Sequence, residues 1–249
     1  MKFDTVIAKS KNKVIYRDGE NCIKLFDELY SKADVLNEAL NHARIEETDL
    51  NIPRIHEVKL IDGRWAIISE YIEGKTLAQL MEENPEKKNE YIELLVNLQM
   101  EVHTKTSPLL TKLKDKMNRK IAATKFDSVT RYELQTRLES MPRYYSVCHG
   151  DFNPTNIIIT PNGMSYIVDW AHATQGNAAA DVARTYLLFR LEGDEEGAEL
   201  YLDLFCKKSG TEKRYVQKLM PIVAASQSVK GHEDEAEFLA SWVSVVDYD

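Results

Sequence analysis

The chain has 249 residues, of which 43% are hydrophobic and 29% charged, and its formal net charge is −8. This length is enough to bury a sizeable core, as one large domain or as two lobes. The acidic balance argues against nucleic-acid binding, which normally requires a basic protein face, so no nucleic-acid partner is expected.

The cysteines and the N-terminal residues narrow the class further. Cys22, Cys148 and Cys206 are widely separated and show no Cys-X-X-Cys spacing, which excludes a zinc-type cluster and argues against a disulfide framework. The segment "MKFDTVIAKSKNK" has no apolar core of a signal peptide. No apolar stretch approaches the length of a membrane span. We therefore expect a cytoplasmic protein with no membrane partner.

The first 73 residues are predicted to form a small sheet with one helix. The strand-like runs are short and rich in alternating or β-branched residues: Thr5–Ile7, Lys13–Arg17, Asn21–Phe26, Arg54–Ile61 and Trp65–Tyr71. The segment Lys32–Glu46 has a helical pattern. A turn at Asp62-Gly63 joins the last two strands.

After Gly74 the pattern becomes mainly helical. The segment Glu86–His103 carries apolar residues that recur along one helix face. The other predicted helices are Leu77–Glu83, Leu110–Ala123, Ser128–Ser140, Ala178–Leu191, Glu195–Lys208, Glu212–Val223 and Glu233–Val246. The basic run Lys112–Lys120, "KLKDKMNRK", is interpreted as a solvated helix face. The predicted architecture is a β-rich lobe followed by a mainly helical lobe.

Between Tyr145 and Asp169 the chain returns to strands. The runs "NIIIT" and "MSYIVD" are separated by Pro161-Asn162-Gly163, a strong turn signal, and are predicted to form a β-hairpin. Folding at this turn brings Asn156 close to Asp169 at the open end of the hairpin. Amide and carboxylate oxygens are ligands that Mg²⁺ accepts when phosphates supply the remaining positions. The hairpin therefore predicts a magnesium site.

Asp151 completes the predicted constellation. It lies five residues before Asn156, in a loop stiffened by Pro154, so it is expected beside the metal without being a ligand. Each of Asp151, Asn156 and Asp169 taken alone is more simply a turn or capping residue. The three together at this spacing, around one hairpin, favour the metal site.

These residues carry a family resemblance. Asp151 and Asn156 have the spacing of the protein-kinase catalytic loop, H-R-D-L-x-x-x-N, and Asp169 falls where the Asp of D-F-G would. The form "HGDFNPTN … IVDW … DVAR" resembles the aminoglycoside phosphotransferase and choline kinase family of small-molecule kinases more closely than protein kinases. The resemblance extends through nearly the whole chain.

The resemblance implies a two-lobed α+β fold like that of protein kinases. Residues 1–73 would form a small antiparallel-sheet lobe with one helix, which binds the nucleotide and includes the hinge. Residues 74–249 would form the larger, mainly helical lobe, which carries the catalytic loop and the substrate site.

The resemblance also implies roles for individual residues. Asp151 would be the catalytic base, and Asn156 and Asp169 would be the Mg²⁺ ligands. His149 and Asp181 would support the catalytic loop structurally. Two positions depart from the usual pattern: Asn153 stands where many relatives have His, and His172 where many have an acid. These departures leave the details of substrate binding open.

Lys24 in "NCIKLF" is the candidate for the phosphate-binding cation. A lysine with apolar neighbours on both strand faces is partly desolvated, which is costly without an anionic partner. Glu38, fourteen residues later in the predicted helix, matches the Lys–Glu pair of the kinase family. Glu28 and Glu46 are alternative partners, and a solvent-facing lysine on an edge strand is the alternative for Lys24 alone.

The segment "AIISEYIEGKTL" resembles the connection between kinase lobes, with Glu70, Tyr71 and Ile72 as the hinge whose backbone would bind adenine. No G-x-G-x-x-G loop occurs between Ala8 and Glu20, which argues against a protein kinase. The prediction is an enzyme that transfers the γ-phosphoryl group of ATP or GTP to a hydroxyl of a small molecule. The alternatives are a protein kinase and a catalytically inactive nucleotide-binding module.

Acidic residues suggest a hypothesis about the phosphoryl acceptor. They fall near the predicted C-terminal helices: Glu192, Asp194, Glu195, Glu196, Glu233, Asp234, Glu235, Glu237 and the final "VVDYD". Carboxylates beside the acceptor would favour a cationic hydroxyl compound such as an aminoglycoside, an amino sugar or a choline-like alcohol. The simpler interpretation, which the sequence favours, is a pair of solvated helix starts, where acids also suit the helix dipole.

Overall fold

The structure is a computed structural model, and it describes residues 5–10 and 12–243. The strands within these residues are β1 Thr5–Lys9, β2 Lys13–Asp18, β3 Asn21–Phe26, β4 Ile55–Ile61, β5 Arg64–Glu70, β6 Lys75–Thr76, β7 Ser146–Cys148, β8 Ile157–Ile159, β9 Ser165–Ile167 and β10 Thr174–Gly176. The helices are α1 Lys32–Glu46, α2 Leu77–Glu83, α3 Lys88–Thr104, α4 Leu113–Ala122, α5 Ser128–Ser140, α6 Ala178–Leu191, α7 Glu195–Ser209, α8 Lys213–Gln217, α9 Met220–Ser228 and α10 Ala236–Val243.

The chain packs as two compact units. The first comprises the described residues up to Asn84 together with Pro154–Ala173. The second comprises Pro85–Asn153 together with the described residues from Thr174 onward. These two units are defined by how the residues pack against one another. The functional division predicted between residues 73 and 74 stays a prediction.

The first unit is built on a five-stranded antiparallel sheet in the order β1-β2-β3-β5-β4. Alternate residues of a strand face opposite sides of a sheet. Ile23 and Leu25 of β3 accordingly pack on one side, in a buried cluster that includes Ala66. Phe26 packs on the other side, in a cluster that includes Val35 of α1. Lys24 shares the side that faces α1.

The predicted hairpin belongs to this first unit. Strands β8 and β9 pair antiparallel, with Ile157 opposite Ile167, and β6 pairs with the free edge of β8. Gly163 sits in the turn with φ +82°, a conformation that favours glycine. Gly74, just before β6, approaches the backbone of β8 so closely that an added Cβ would collide with the carbonyl of Ile159.

The second unit is mainly helical. Helix α6 is buried on nearly every face, and it packs against α7 and α9. Helix α4 packs against α5 and α9. The two-stranded sheet of β7 and β10 pairs Cys148 with Thr174, directly before the predicted catalytic loop that begins at His149.

Five predicted elements agree with the structure to the residue, most of the others differ by one to three residues at an end, and two helices differ more. The predicted helix Glu212–Val223 is wrong, because α8 ends at Gln217 and α9 starts at Met220. Pro221 explains the break, since proline lacks the N–H of an interior helix position and its ring clashes with the carbonyl four residues earlier, here Gln217. The predicted helix Glu233–Val246 begins later, at Ala236, and its last residues and the "VVDYD" end lie outside the described residues.

Among the helices that the structure describes, none combines the length and apolar character that a bilayer crossing requires. Cys22, Cys148 and Cys206 are free thiols. The α+β composition expected from the sequence is confirmed by the five-stranded antiparallel sheet and the helices that follow it.

Candidate active site

Lys24 lies among carboxylates in the first unit. Its Nζ is 2.5 Å from Oε1 of Glu38 and 3.1 Å from Oδ1 of Asp169. The side chain of Lys24 is 15% exposed and that of Glu38 is 9% exposed. Of the two alternative partners, Glu46 instead accepts the backbone N–H of Ile55, and Glu28 is exposed. Glu38 is therefore the helix carboxylate that pairs with Lys24.

Lys13 is a second cation at the same carboxylate, and the sequence analysis missed it. Its Nζ lies 3.1 Å from Oδ2 of Asp169, so the two oxygens of Asp169 accept from two different lysines. Lys13 is opposite Phe26 in the β2–β3 register, which places it on the same side of the sheet as Lys24. The sequence signal for Lys13 was the alternation of side chains along the two strands that the Arg17–Asn21 turn joins, because it places Lys13 and Lys24 on one side of the sheet.

These pairings control the protonation of the site. Burial on its own raises the pKa of the Asp169 carboxyl, but the Lys24 and Lys13 ammonium groups outweigh it and hold that pKa well below its usual range. Burial on its own lowers the pKa of Lys24, but Asp169 and then Glu38 outweigh it and raise that pKa. Asp169 is consequently an anion and Lys24 a cation at neutral pH.

The backbone of Asp169 is held in an unusual conformation. Its φ and ψ are both 62°, in the left-handed region that non-glycine residues adopt infrequently. A short 3₁₀ turn, Trp170–His172, follows directly, and Trp170 is buried with its indole N–H donating to the carbonyl of Ile167. Asn41 of α1 donates to the carbonyl of Ala171. The turn is thereby fixed on both sides, and it aims the Asp169 carboxylate at the lysines.

Asn156 lies across the open end of the hairpin from Asp169. Asn156 is the last residue of the 3₁₀ turn Pro154–Asn156 and is 9% exposed. Its backbone carbonyl accepts the backbone N–H of Val168 at 2.9 Å. The amide oxygen of Asn156 and the carboxylate of Asp169 are hard donors of the type that suits Mg²⁺. In the described ranges, no three His, Cys, Asp or Glu side chains group as a metal site. The side chains of Asn156 and Asp169 therefore fit a metal ion that takes only some of its ligands from the protein.

A cavity of about 630 Å³ lies in the first unit beside these residues, within the size range of ligand pockets. Its charged end contains Lys13, Lys24, Glu38, Asn156 and Asp169. The rest is largely apolar, with Ile15, Ile67, Ile72, Ile158 and Val168 among its lining residues. The predicted hinge residues Glu70, Tyr71 and Ile72 also line it. The cavity is therefore lined by a charged group of residues and by apolar residues, and the predicted hinge residues are part of its lining.

In the second unit, Asp181 of α6 organises the start of the loop that is predicted to be catalytic. Its carboxylate accepts the backbone N–H groups of Gly150 at 2.7 Å and His149 at 3.1 Å. It also accepts from Nε2 of His103 at 3.0 Å and from the Gln99 amide at 3.2 Å. Burial on its own raises the pKa of Asp181, but the hydrogen bonds from His103 and Gly150, together with the electrostatic influence of His103 and His149, outweigh it and lower that pKa.

His149 supports the next residue of the loop. Its ring is fully buried, and Nδ1 accepts the backbone N–H of Asp151 at 3.2 Å. The ring packs edge-on against Phe152, whose carbonyl accepts the hydroxyl of Thr185 at 2.8 Å. The backbone on both sides of Asp151 is thus tied to buried groups, while the Asp151 side chain itself is 26% exposed.

Arg184 is the charged neighbour of Asp151, and the sequence analysis did not single it out. One guanidinium nitrogen lies 3.5 Å from Oδ1 of Asp151, and the other donates to the side-chain oxygen of Gln227 at 2.6 Å. Arg184 follows Asp181 by three residues on α6, so the two occupy adjacent turns of one helix face. The three-residue spacing from Asp181 was the feature of the sequence that could have pointed to Arg184.

The acidic residues predicted to favour a cationic acceptor have other partners or face solvent. Asp194 caps α7 by accepting the N–H of Gly197 and pairs with Lys88 at 2.7 Å. Glu195 pairs with Arg190 at 3.0 Å. Glu235 accepts from the Gln227 amide at 2.7 Å. The remaining described members are exposed: Glu192, Glu196, Glu233, Asp234 and Glu237.

The sequence matches one family model over most of its length. The model is described as the phosphotransferase enzyme family, and the match runs from residue 10 to residue 216. No curated protein matches the sequence.

Solved structures share the fold at low sequence identity. A thermostable mutant of aminoglycoside phosphotransferase APH(4)-Ia, in a ternary complex with ADP and hygromycin B, is 16% identical with a TM-score of 0.69, covering 96% of this chain and 91% of that one. Aminoglycoside-3'-phosphotransferase of type VIII is 15% identical with a TM-score of 0.64, covering 88% and 92%. Choline kinase LicA from Streptococcus pneumoniae is 15% identical with a TM-score of 0.60, covering 97% and 86%. These likenesses confirm the predicted two-lobed, kinase-like fold.

Proposed function

This chain belongs to the phosphotransferase enzyme family, and from that premise we propose that it transfers the γ-phosphoryl group of ATP or GTP to a hydroxyl group of a small-molecule acceptor. The observation that carries the proposal is the pair of lysines on Asp169, at the charged end of a cavity that is otherwise largely apolar. A purine suits the apolar part, and its phosphates suit the lysines.

The hinge supplies the groups that would hold the purine ring. The backbone N–H of Tyr71 already donates to the carbonyl of Glu20 at 2.8 Å. The N–H of Ile72 and the carbonyl of Glu70 are then the hinge groups proposed to bind adenine or guanine. Ile72 and Ile158 would contact the faces of the ring, since both line the cavity.

The charged end supplies groups for the triphosphate. Lys24 is proposed to bind the phosphates while Glu38 holds its ammonium in place, and Lys13 is proposed as a second phosphate ligand. Asn156 and Asp169 are proposed to hold Mg²⁺. When bound, a magnesium ion neutralises charge on the phosphates and orients them.

Asp151 is proposed as the base for the acceptor. The acceptor hydroxyl oxygen attacks the γ-phosphorus, and the bond from that phosphorus to the bridging oxygen breaks. The bonding electron pair leaves on the nucleoside diphosphate, and the hydroxyl proton moves to a carboxylate oxygen of Asp151. His149 and Asp181 hold the backbone of this loop through the hydrogen bonds at Asp151 and Gly150. A fixed base of this kind contributes mainly by positioning.

The family match argues against the two alternatives, a protein kinase and an inactive nucleotide-binding module. Only eleven residues separate Asp169 from Asp181, which leaves little room for a peptide-docking segment. Asp151, Asn156 and Asp169 are all present. A cytoplasmic location is proposed from the three free cysteines.

The test is a transfer assay with ATP and GTP against a broad panel of hydroxyl compounds: aminoglycosides, amino sugars, choline, thiamine, nucleosides, sugars and hydroxy acids. The product is detected as phosphorylated acceptor by mass spectrometry, so that simple nucleotide hydrolysis is not counted. We expect transfer that depends on Mg²⁺. Tight nucleotide binding with no transfer to any hydroxyl would instead support the inactive nucleotide-binding module.

A further inference from the structure

Lys13 and Asp169 are paired within the first unit, although 156 residues separate them in the sequence. The ammonium nitrogen of Lys13 lies 3.1 Å from Oδ2 of Asp169, and that of Lys24 lies 3.1 Å from Oδ1. All three side chains line the same cavity. Each oxygen of the Asp169 carboxylate therefore contacts its own ammonium group.

The backbone of Lys13 is fixed by the sheet. Lys13 is the first residue of β2 and lies opposite Phe26 of β3. Its carbonyl accepts the backbone N–H of Ser10 at 2.9 Å and the hydroxyl of Ser10 at 3.3 Å. The carbonyl of the preceding residue, Asn12, accepts the backbone N–H of Asp27 at 2.9 Å. The Lys13 side chain therefore extends from a hydrogen-bonded strand end.

The backbone of Asp169 is fixed as well. The 3₁₀ turn that follows it is held by the buried Trp170 and by the hydrogen bond from Asn41 to the carbonyl of Ala171. The Lys13 side chain is 25% exposed and that of Asp169 is 26% exposed, so both are largely shielded from solvent. The contact between Lys13 and Asp169 therefore joins two anchored parts of the first unit.

The two ammonium groups differ in how their charges are balanced. Lys24 contacts Glu38 at 2.5 Å in addition to Asp169, so two carboxylates share its charge. For Lys13, Asp169 is the only carboxylate within ion-pair distance among the residues that the structure describes. Lys13 consequently brings the less compensated positive charge to this end of the cavity.

The donors of Lys13 allow it to contact a second anion. A lysine ammonium has three N–H donors, and the contact with Asp169 uses one of them. The other donors are then left for oxygens of a ligand in the cavity. An ammonium that contacts a carboxylate oxygen and a phosphate oxygen at the same time resembles a divalent cation that bridges the same two groups.

The Asp169 carboxylate has limited capacity for metal ions. In protein kinases two Mg²⁺ ions are held by an Asp and an Asn, and here Asn156 and Asp169 are the proposed ligands. A second divalent cation on Asp169 would lie beside the Lys13 ammonium, and like charges at such a distance repel each other. Glu38 does not relieve this repulsion at Oδ2, because it contacts Lys24. The surroundings of Oδ2 therefore favour the ammonium over a second metal ion.

We propose that Lys13 replaces a second metal ion in the nucleotide site. The enzyme then binds the nucleotide with a single divalent cation, and the Lys13 ammonium bridges Asp169 and the phosphates. The inference rests on the proposed function, because it concerns the nucleotide of that reaction. Lys13 would thus be more than a second phosphate ligand, since it would set the number of metal ions that the site holds.

Two simpler roles for Lys13 predict different results. A purely structural ion pair would affect the stability of the turn at Asp169 and leave the number of bound metal ions unchanged. A phosphate ligand without the bridging role would affect nucleotide affinity and also leave that number unchanged. The count of metal ions per nucleotide complex therefore separates the three roles.

The first experiment counts metal ions in the wild-type protein and requires no acceptor. Mn²⁺ is used in place of Mg²⁺, because free Mn²⁺ gives an electron paramagnetic resonance signal that is lost on binding. The protein is held in excess over a non-hydrolysable analogue of ATP or GTP, and Mn²⁺ is titrated into the complex. We expect one bound Mn²⁺ per nucleotide complex. Two bound ions per complex in the wild type would overturn the proposal.

The second experiment repeats the count with variants. Lys13→Met removes the charge and keeps an unbranched side chain, so we expect a second Mn²⁺ to bind. Lys13→Arg keeps the charge and should retain one ion. Lys75→Met is the control and should also retain one ion, because Lys75 is exposed and pairs with Glu83 at the surface. A single bound ion in a folded Lys13→Met protein would overturn the proposal.

Far-ultraviolet circular dichroism checks that each variant is folded. If Lys13→Met does not fold, Lys13→Gln takes its place with the same expected result and the same contradicting one. The count in the wild type needs no variant and tests the proposal in either case.

Mg²⁺ provides an independent readout. The affinity of the nucleotide analogue is measured by calorimetry over a range of Mg²⁺ concentrations. We expect the dependence on Mg²⁺ to be steeper for Lys13→Met than for the wild type and Lys75→Met, because two ions rather than one then accompany the nucleotide. Equal slopes would contradict the replacement of a metal ion by Lys13.

The two proposals fail in different ways. Phosphoryl transfer by a wild-type protein that binds two metal ions per nucleotide leaves the phosphotransferase standing and removes the inference about Lys13. A single metal ion in the wild-type complex and two in Lys13→Met, with no transfer to any hydroxyl compound, retain the inference and remove the proposed transfer reaction.

Discussion

Asp181 and Gly150 are joined by a 2.7 Å hydrogen bond from the backbone N–H of Gly150 to the Asp181 carboxylate. Gly150 immediately precedes Asp151, so a buried side chain on α6 fixes the backbone from which the proposed base projects. The same carboxylate binds His103 and Gln99 of α3. One residue thus links two helices to the catalytic loop.

Asp181→Asn should therefore affect stability and turnover together. The asparagine amide would point its own N–H donors at backbone and side-chain groups that also donate. Leaving buried donors unsatisfied in this way costs roughly 1–3 kcal/mol. We expect a lower free energy of unfolding in urea and a reduced kcat. Asp203→Asn is the control, because Asp203 pairs with Lys213 at the surface, where such pairs contribute little. Equal unfolding midpoints for wild type and Asp181→Asn would show that the network is dispensable.

Asp151→Ala should abolish transfer and leave nucleotide binding nearly unchanged. The loss of a positioned base costs on the order of 10² to 10⁴ in rate. Turnover is measured with the best acceptor of the panel, and nucleotide affinity by calorimetry. Asp115→Ala, an exposed carboxylate on α4, is the control and should behave as wild type. An Asp151→Ala enzyme within a few-fold of wild type would remove the base role.

Asn156→Ala and Asp169→Ala should each weaken the Mg²⁺ dependence of nucleotide binding. The effect should be larger for Asp169, which contributes a full negative charge that Lys24 and Lys13 keep ionised. Titration of Mg²⁺ against a fluorescent nucleotide measures this directly. Asn89→Ala, at an exposed position of α3, controls for loss of an amide. A magnesium requirement that is identical in both site variants and wild type would refute the metal site.

Lys24, Glu38 and Lys13 should behave as a coupled set. Lys24→Ala is expected to reduce phosphate affinity and turnover, and Glu38→Ala to do so less, because it acts through Lys24. A double-mutant cycle on nucleotide affinity should give a coupling energy of roughly 0.5–3 kcal/mol. Lys13→Ala should weaken nucleotide binding by a smaller amount than Lys24→Ala, since Lys24 has the more buried side chain. Strict additivity of Lys24→Ala and Glu38→Ala would mean that they do not act as a pair.

Lys116→Met should stabilise the protein in a pH-dependent way. Burial with the charges of Lys120, Arg184 and Arg119 lowers the pKa of Lys116 to about 7, while Asp181 opposes them. An unfolded lysine has a pKa of about 10.4. Between these values the unfolded state binds more protons, so stability of the wild type rises with pH. Below the pKa of Lys116 in the folded state, the buried lysine is charged and its full cost to the stability of the folded protein is present.

The stabilisation by Lys116→Met is therefore expected to be larger at pH 6 than at pH 10, and is measured as the shift in the urea unfolding midpoint. Lys112→Met, at an exposed position of the same segment, should show little change at either pH. A gain that is the same at both pH values would mean that the charge of Lys116 is not the cause.

The local features of this molecule were predictable from the sequence, and the tertiary ones were not. The hairpin around Asn162-Gly163 follows from a strong turn signal between two β-rich runs, so the placement of Asn156 opposite Asp169 needed no knowledge of distant residues. Lys24 and Glu38 were found from three features of the sequence. Lys24 lies in an alternating strand, Glu38 lies in a predicted helix, and the two match the Lys–Glu pair of the kinase family.

Lys13, Arg184 and the partial burial of Lys116 were missed for a different reason. The partner of Lys13 is 156 residues away, and its side of the sheet depends on the β2–β3 register. The burial of Lys116 depends on how α4 packs against its neighbours, which include α5 and α9, and the helix periodicity of α4 alone does not determine that packing. The break at Pro221, by contrast, was readable from the sequence, since proline disfavours a continuous helix.

The hairpin that completes the first unit comes late in the order of synthesis. Lys24 and Lys13 precede Asp169 by 145 and 156 residues, and Pro85–Asn153 of the second unit is made in between. During translation all five strands of the first unit's sheet are therefore made before Asn156 and Asp169. Until the hairpin is made, a nascent chain holds Lys13, Lys24 and Glu38 but lacks Asn156 and Asp169, so the proposed nucleotide site is incomplete. A fragment that stops at Asn84 retains the hinge and Lys24 but lacks the proposed metal ligands.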